Sequence, residues 1–168
     1  MFTNQNKFTN HSFFMRLALL QAKKILGNTK KNPTVGCVIT KNNYLISAGS
    51  TSFNGRPHAE HNAINLLKKN LKNCQLYVTL EPCSHYGNTP PCVKLIIKNN
   101  IKTVFFSIKD PDLRSYDKCT TKLKKEGINV KHNVLKDKVN FFYRSYSKFK
   151  KEELPFVTCK LAISRDFY

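Results

Sequence analysis

Apolar residues recur at helical spacing over residues 13–26, "FFMRLALLQAKKIL", with Phe13, Phe14, Leu17 and Leu20 as the candidate face and Gly27 as the stop. Two short apolar runs, 35–40 and 44–49, flank Asn42-Asn43 and predict a hairpin. A helix is predicted to start near His58 and to run through "AINLLKK". "QLYVTL" (75–80) has the continuous apolarity of a buried strand and leads directly into "EPCSHYGNTPPC" (81–92). Pro90-Pro91 then introduce a helix, "CVKLIIKNN", since prolines are tolerated in a first turn. "TVFFSI" (103–108) is a second buried strand, followed by a helix around 117–126, a short strand "INVKH" and a helical stretch over 135–150. A hairpin followed by alternating helices and strands predicts a sheet covered on both faces. No repeat, low-complexity tract or linker interrupts this pattern before about residue 152.

A chain of 168 residues with 40% hydrophobic content can bury a core of its own. No apolar run reaches the ~18 residues of a membrane span, and "MFTNQNKFTNHSFF" lacks the apolar block of a signal peptide. A cytoplasmic location follows as the expectation. In a reducing compartment the six cysteines are more apt to bind metal or act in catalysis than to form disulfides. The net charge of +19 points toward nucleic acid, but its make-up does not. Only five arginines stand against 24 lysines, and Asn, Ile, Phe and Tyr are abundant as well, a set that AT-rich codons favour. Arginine, the usual residue of base-edge and bidentate phosphate contacts, is the scarce one.

Cys83 and Cys92 bracket a stiff loop, and two thiols alone seldom complete a catalytic zinc site, which uses three protein ligands and an open fourth position. The third ligand is sought in "PHAEHNA", residues 57–63. His58 and Glu60 would diverge within a helix, yet at a helix start both can face one cavity. Cys92 falls in the first turn of the helix behind Pro90-Pro91, where the helix N-terminus favours thiolate. One imidazole and two thiolates suit a zinc ion that acidifies a water, and a carboxylate that is no ligand, Glu60, suits the proton transfer. Zinc deaminases carry H-x-E…P-C-x-x-C; the spacing here is P-C-x8-C. A lone H-x-E carries almost no information, but the three pieces in this order, each beside a predicted helix start, do. Cys37, Cys74, Cys119 and Cys159 lack a partner motif and read as packing or chance; His61 reads as a packing or capping residue. His85 is either a brace of the loop or a substrate contact.

"NPTVGCVI", "HAEHNA" and "VTLEPCSHYGNTPPC" together resemble the pyrimidine deaminase domain of riboflavin biosynthesis, a family often fused to a reductase. The likeness runs from about Phe13 to Asp166. It implies a cytidine deaminase-like fold, a three-layer α/β/α sandwich around a mixed sheet. It also implies one Zn2+ per chain and hydrolytic loss of the 2-amino group from 2,5-diamino-6-(5-phosphoribosylamino)pyrimidin-4(3H)-one. Asn32 and Asp110 stand where the family touches substrate. Thr51 stands where the family usually has a histidine, and Asn88 where it has a basic residue. "DPDLRSYDKC" has Asp112 in place of the family's asparagine and lacks its glycine-rich turn, so Lys109, Arg114 or Lys118 are the candidates to offset the aspartate. The tail 154–168 resembles the first strand of the fused reductase, giving a deaminase domain over 1–151 and a remnant over 152–168. With no G-x-G-x-x-G in the chain, no NADP is expected on it, and a separate reductase polypeptide and self-association are the expected partners. Two other readings remain: a tRNA deaminase or RNA-binding protein using the basic surface, and an inactive zinc-stabilised protein of the same fold.

Overall fold

Strand Gln75–Leu80 (β3) alternates, sending Leu76, Val78 and Leu80 into one half of the core and Tyr77 into the other. The computed structural model containing it describes residues 10–67, 71–87, 89–115 and 117–166. Around β3 are α1 (His11–Lys24), β1 (Gly36–Lys41), β2 (Tyr44–Ser50), α2 (Ala59–Asn65), α3 (Cys92–Lys98), β4 (Thr103–Ile108), α4 (Lys118–Lys125), β5 (Asn129–Lys131), α5 (Lys136–Phe142) and α6 (Arg144–Glu152). The strands form one five-stranded sheet in the order β2-β1-β3-β4-β5. β1 pairs antiparallel with β2 and β3, whereas β3, β4 and β5 run parallel, so the sheet is mixed. Asn42 (φ 51°) and Asn43 (φ 65°) both take the left-handed conformation that a two-residue hairpin turn requires.

Phe14, Met15 and Ala18 of α1 pack on Val38, Tyr77 and Phe105. On the opposite face Ala63 and Ile64 of α2, Val93 and Ile96 of α3 and Leu123 of α4 pack on Cys37, Ile39, Leu76, Val78, Val104 and Phe106. These are the three layers that the pattern predicts. The face of α1 differs from expectation. Phe13 and Leu20 are half exposed (50% and 52%), while the small residues Ala18 and Ala22 are fully buried. A Cβ added to Gly36 would meet Ala22 N at 2.6 Å, so helix and strand approach too closely for large side chains between them. Asn10 starts α1 two residues early by accepting from Phe13 N (2.9 Å).

The helical stretch over 135–150 is broken in two at Tyr143, between α5 and α6. Its hydroxyl is buried, donating to Thr34 O (2.8 Å) and meeting Thr79 Oγ1 (2.7 Å). That double anchor fixes the junction on the sheet and turns the chain there. α2 is shorter than predicted, ending at Asn65, and residues 68–70 lie outside the described residues. No helix is long and apolar enough to cross a membrane among the described residues. Residues 153–164 form neither helix nor strand, and Leu154, Val157 and Leu161 are exposed.

Candidate metal centre

The carboxyl ends of parallel strands are where open α/β sheets place ligands, and β3 and β4 deliver their loops to one such edge. β3 ends at Leu80 and continues into Glu81 and Cys83; β4 ends at Ile108 and continues into Asp110. Glu81 locks the two loops together. Its carboxylate accepts from the backbone N–H of Asp110 (3.3 Å), Asp117 (3.2 Å) and Cys119 (3.2 Å). Burial nonetheless pushes its carboxyl up, the three N–H donors opposing.

His58 is the N-cap of α2, in extended conformation (φ −71°, ψ 160°), while Glu60 is already in the first turn. This break in helical geometry lets side chains two apart share a cavity. His58 Nδ1 lies 3.3 Å from Cys92 Sγ and 3.6 Å from Cys83 Sγ, and the Cys92 N–H donates to Cys83 Sγ (3.3 Å). The three ligand atoms all fall within 4.8 Å of one another. Zn–S bonds of ~2.3 Å and Zn–N bonds of ~2.0–2.1 Å in a tetrahedron put ligand atoms roughly 3.5–3.8 Å apart, so the set has the size and chemistry for zinc. Pro91 is the N-cap of α3 and Cys92 its first residue, as the double proline predicts. Hydrogen bonding from Cys92, helped by His58, pulls the Cys83 thiol down to about 4, while Cys92, as the donor of that hydrogen bond and out of water, is pushed up.

Glu60 is almost fully buried (3% exposed) and is no member of the triad. Desolvation pushes its carboxyl up to about 7, with the nearby His58 opposing. None of the six cysteines is in a disulfide; Cys37, Cys74 and Cys119 are buried apart from the triad and Cys159 is exposed. His61 neither packs nor caps. It is exposed and pairs with Asn65 Nδ2 (3.1 Å) on the outer side of α2.

His58, Glu60 and Cys83 line a cavity of about 300 Å³, together with Asn32, Thr51, His85 and Asp110. Asn32 Nδ2 donates to Gly55 O (3.1 Å), and Gly55 has φ +90° and no room for a side chain, Thr29 O being 2.7 Å from where a Cβ would sit. The Thr51 hydroxyl accepts from Val35 N (2.9 Å) and leans on Val35 O and Pro33 O (both 3.4 Å), bracing the segment that carries Asn32. His85 Nδ1 meets Ser115 Oγ (2.9 Å), so it braces the metal loop against the loop after β4 while also lining the cavity. Asp110 Oδ1 accepts from Asp112 N (3.0 Å) and Tyr146 Oη (3.1 Å), and burial pushes its carboxyl up to about 6. Asn88 lies outside the described residues.

Sequence reasoning did not find Glu81, Arg56, Tyr146 or Lys150, all of which line the cavity. Glu81 had one signal, a carboxylate at the end of a buried strand; the others had none. Of the cations weighed against Asp112, Lys109 pairs with Asp117 (2.9 Å), whereas Arg114 reaches Asp112 itself (2.6 Å).

The family of the cytidine and deoxycytidylate deaminase zinc-binding region matches residues 8–108. The riboflavin biosynthesis protein RibD of Bacillus amyloliquefaciens is 40% identical over 154 residues, 92% of this chain and 42% of that protein. The diaminohydroxyphosphoribosylamino-pyrimidine deaminase of Buchnera aphidicola is 36% identical, over 85% of this chain and 97% of its own length. Among solved structures, a diaminohydroxyphosphoribosylaminopyrimidine deaminase/5-amino-6-(5-phosphoribosylamino)uracil reductase of Thermotoga maritima superposes with a TM-score of 0.81 at 37% identity, covering 87% of this chain and 42% of that one. The chain thus spans less than half the length of the RibD relatives and nearly all of the Buchnera protein. By the matched region and the full-length relative together, the chain belongs to the cytidine and deoxycytidylate deaminase zinc-binding family, on the branch of the riboflavin-biosynthesis deaminases.

Proposed function

We propose that this chain removes the 2-amino group of 2,5-diamino-6-(5-phosphoribosylamino)pyrimidin-4(3H)-one by hydrolysis, giving ammonia and 5-amino-6-(5-phosphoribosylamino)uracil. The observation that carries the reading is a buried carboxylate, Glu60, beside a His58–Cys83–Cys92 triad at a cavity that Glu60, His58 and Cys83 line. A structural zinc needs no buried acid next to it. The near-complete match to the Buchnera deaminase supports the choice of substrate.

In this reading His58, Cys83 and Cys92 hold zinc, with one imidazole and two thiolates as donors. The bound ion would lower the pKa of water toward neutrality and so supply a nucleophile at physiological pH. Glu60 would take one proton of the attacking water and deliver it to the departing amine: the water oxygen bonds to the ring carbon, the C–N bond breaks, ammonia leaves, and the second water proton stays on the product as the carbonyl and ring N–H form. A carboxyl raised to about 7 suits both halves of this task, since it can accept and return a proton near neutral pH. Asn32, fixed by Gly55, and Asp110, fixed by Tyr146, orient the pyrimidine; His85 keeps the metal loop against the loop after β4. A cavity of about 300 Å³ is at the small end of ligand pockets and suits one heterocycle better than a polymer. The same reading puts the chain in the cytoplasm and assigns reduction of the product to a reductase polypeptide outside these 168 residues.

The test is ammonia release by the purified, zinc-loaded protein from the diaminopyrimidine phosphoribosyl compound, with cytidine and tRNA as controls. Release from that compound alone supports the reading. None from a fully zinc-loaded protein overturns it.

A further inference from the structure

The rim of the cavity carries a charge arrangement that the metal site does not require. Asp112 accepts from Arg114 Nε (2.9 Å), Arg114 Nη2 (2.6 Å) and the Arg114 backbone N–H (3.1 Å). It also accepts from Lys150 Nζ (3.0 Å), which arrives from α6, 38 residues further along the chain. Arg114, and after it Lys150, hold the Asp112 carboxyl well below the usual carboxylate range. One carboxylate thus faces two cations, so the trio is positive by one charge. Arg56 and Lys31 line the same cavity, and neither forms an ion pair among the described residues. Arg56 Nη1 donates to Thr89 Oγ1, and its Nη2 would lie 3.1 Å from a Cβ on Gly87, so the guanidinium lies against the metal loop.

The carboxylates that could neutralise this rim are otherwise engaged. Glu81 is committed to three backbone N–H groups, and Asp110 is buried under Tyr146 with its carboxyl raised to about 6. Donors, in contrast, remain. Asp112 takes the Nε and Nη2 edge of Arg114 and one of the three ammonium hydrogens of Lys150, leaving Nη1 and the other hydrogens. A cation already held in place by a carboxylate loses little side-chain entropy when it binds an anion.

We infer that Arg114, Lys150 and Arg56 are the seat of the substrate's phosphate monoester, and that Asp112 is the post that keeps Arg114 and Lys150 at the rim. The inference rests on the deaminase reading above for the identity of the substrate. A phosphate monoester carries about −1.5 to −2 charges at neutral pH and offers three acceptor oxygens, which match a guanidinium and an ammonium that one carboxylate holds side by side with donors to spare. Asp112, which by itself would repel phosphate, becomes the element that organises its binding. The rival role is a purely structural strap between the loop after β4 and α6.

Kinetics with the phosphoribosyl substrate and with the same compound after phosphatase treatment separate the two roles. In Arg114→Gln, Lys150→Gln and Arg56→Gln the preference in kcat/KM for the phosphorylated over the dephosphorylated compound should fall about tenfold or more each, mainly through KM. A strap would lower both values together and leave their ratio unchanged, and an unchanged ratio overturns the inference. Zinc content and Tm, measured alongside, identify a variant that has failed to fold, in which case the charge-retaining Lys150→Arg and Arg114→Lys decide by restoring the ratio or not. If the native protein releases ammonia from neither compound, the deaminase reading has failed, and titration calorimetry with ribose 5-phosphate then judges the seat. Binding by the native protein that weakens at least about tenfold in the Arg114→Gln/Lys150→Gln double variant upholds it; no binding, or equal binding, removes it.

Discussion

The floor and the rim of the cavity handle charge in opposite ways. On the floor, Glu60 sits out of water with one imidazole and two thiols, and desolvation dominates: its carboxyl rises to about 7. On the rim, Asp112 is ringed by Arg114 and Lys150, and partner charges dominate: its carboxyl falls. The first arrangement keeps a group near its titration point, which proton transfer needs. The second keeps a group permanently charged, which positioning needs. The two regions therefore predict different kinds of failure: loss of turnover from the floor, loss of substrate discrimination from the rim.

The sharpest break should come from Glu60→Gln. Zinc should stay at one per chain while ammonia release falls by ~10²–10⁴-fold or more, since only proton transfer is removed. Near-normal turnover with full zinc, by metal analysis and ammonia assay on one preparation, would sink the assignment of Glu60.

Next comes Cys83→Ser, which should lose zinc and lower Tm, because the metal ties the loop after β3 to the start of α2. A chelator should lower the Tm of the native protein and leave that of the variant unmoved. An equal chelator shift in both would show that Cys83 is not a ligand.

Gly49→Ala tests the floor from behind. A Cβ there would meet Ala59 O and Ala63 N, each at 2.6 Å, so α2 must shift and carry His58 and Glu60 with it. Overpacking of this kind costs about 1–3 kcal/mol, and zinc affinity should fall with stability in chemical denaturation and metal titration. Zinc affinity equal to the native value would mean that α2 does not set the ligand geometry.

The floor was legible in the sequence and the rim only in part, its Asp112 and Arg114 but not its long-range partners, for a physical reason. His58, Glu60, Cys83 and Cys92 are residue types with few other uses in combination, three of them at helix starts that proline or the apolar pattern announces and Cys83 just after the buried strand β3. Tyr146 and Lys150 are common residues on an exposed helix, and their partners Asp110 and Asp112 lie 36 and 38 residues away. Nothing local marks such a pair. Similarly, the parallel strands β3 and β4 were plain because every position in them but Gln75 is buried, but the packed face of α1 was not. Pattern reading weights large apolar residues such as Phe13 and Leu20, whereas the contact with Gly36 selects Ala18 and Ala22 by their smallness. The break at Tyr143 was hidden for the same reason as the rim, since its anchors Thr34 and Thr79 are 109 and 64 residues distant.

The smallest expected effect joins the two regions through Asp110, which is buried like the floor but tied to α6 like the rim. Its carboxyl is raised from 3.8 to about 6, chiefly by burial, and the Tyr146 hydroxyl donating to it works against that rise. A carboxyl raised on folding stabilises the native state below its unfolded pKa, and that contribution is lost as pH climbs through the folded value. Between about pH 4 and pH 6 this single group should thus withdraw on the order of 2–3 kcal/mol. Tyr146→Phe removes a donor that favours the charged form, so the folded pKa should move further up and the loss should deepen. The variant should therefore be destabilised more at pH 7.5 than at pH 5, by roughly 0.5–1.5 kcal/mol, the net worth of one hydrogen bond. Urea denaturation at the two pH values measures this difference directly. If Tyr146→Phe costs the same at both, the Tyr146 hydroxyl does not distinguish the two forms of Asp110, and the link between α6 and the floor is packing alone.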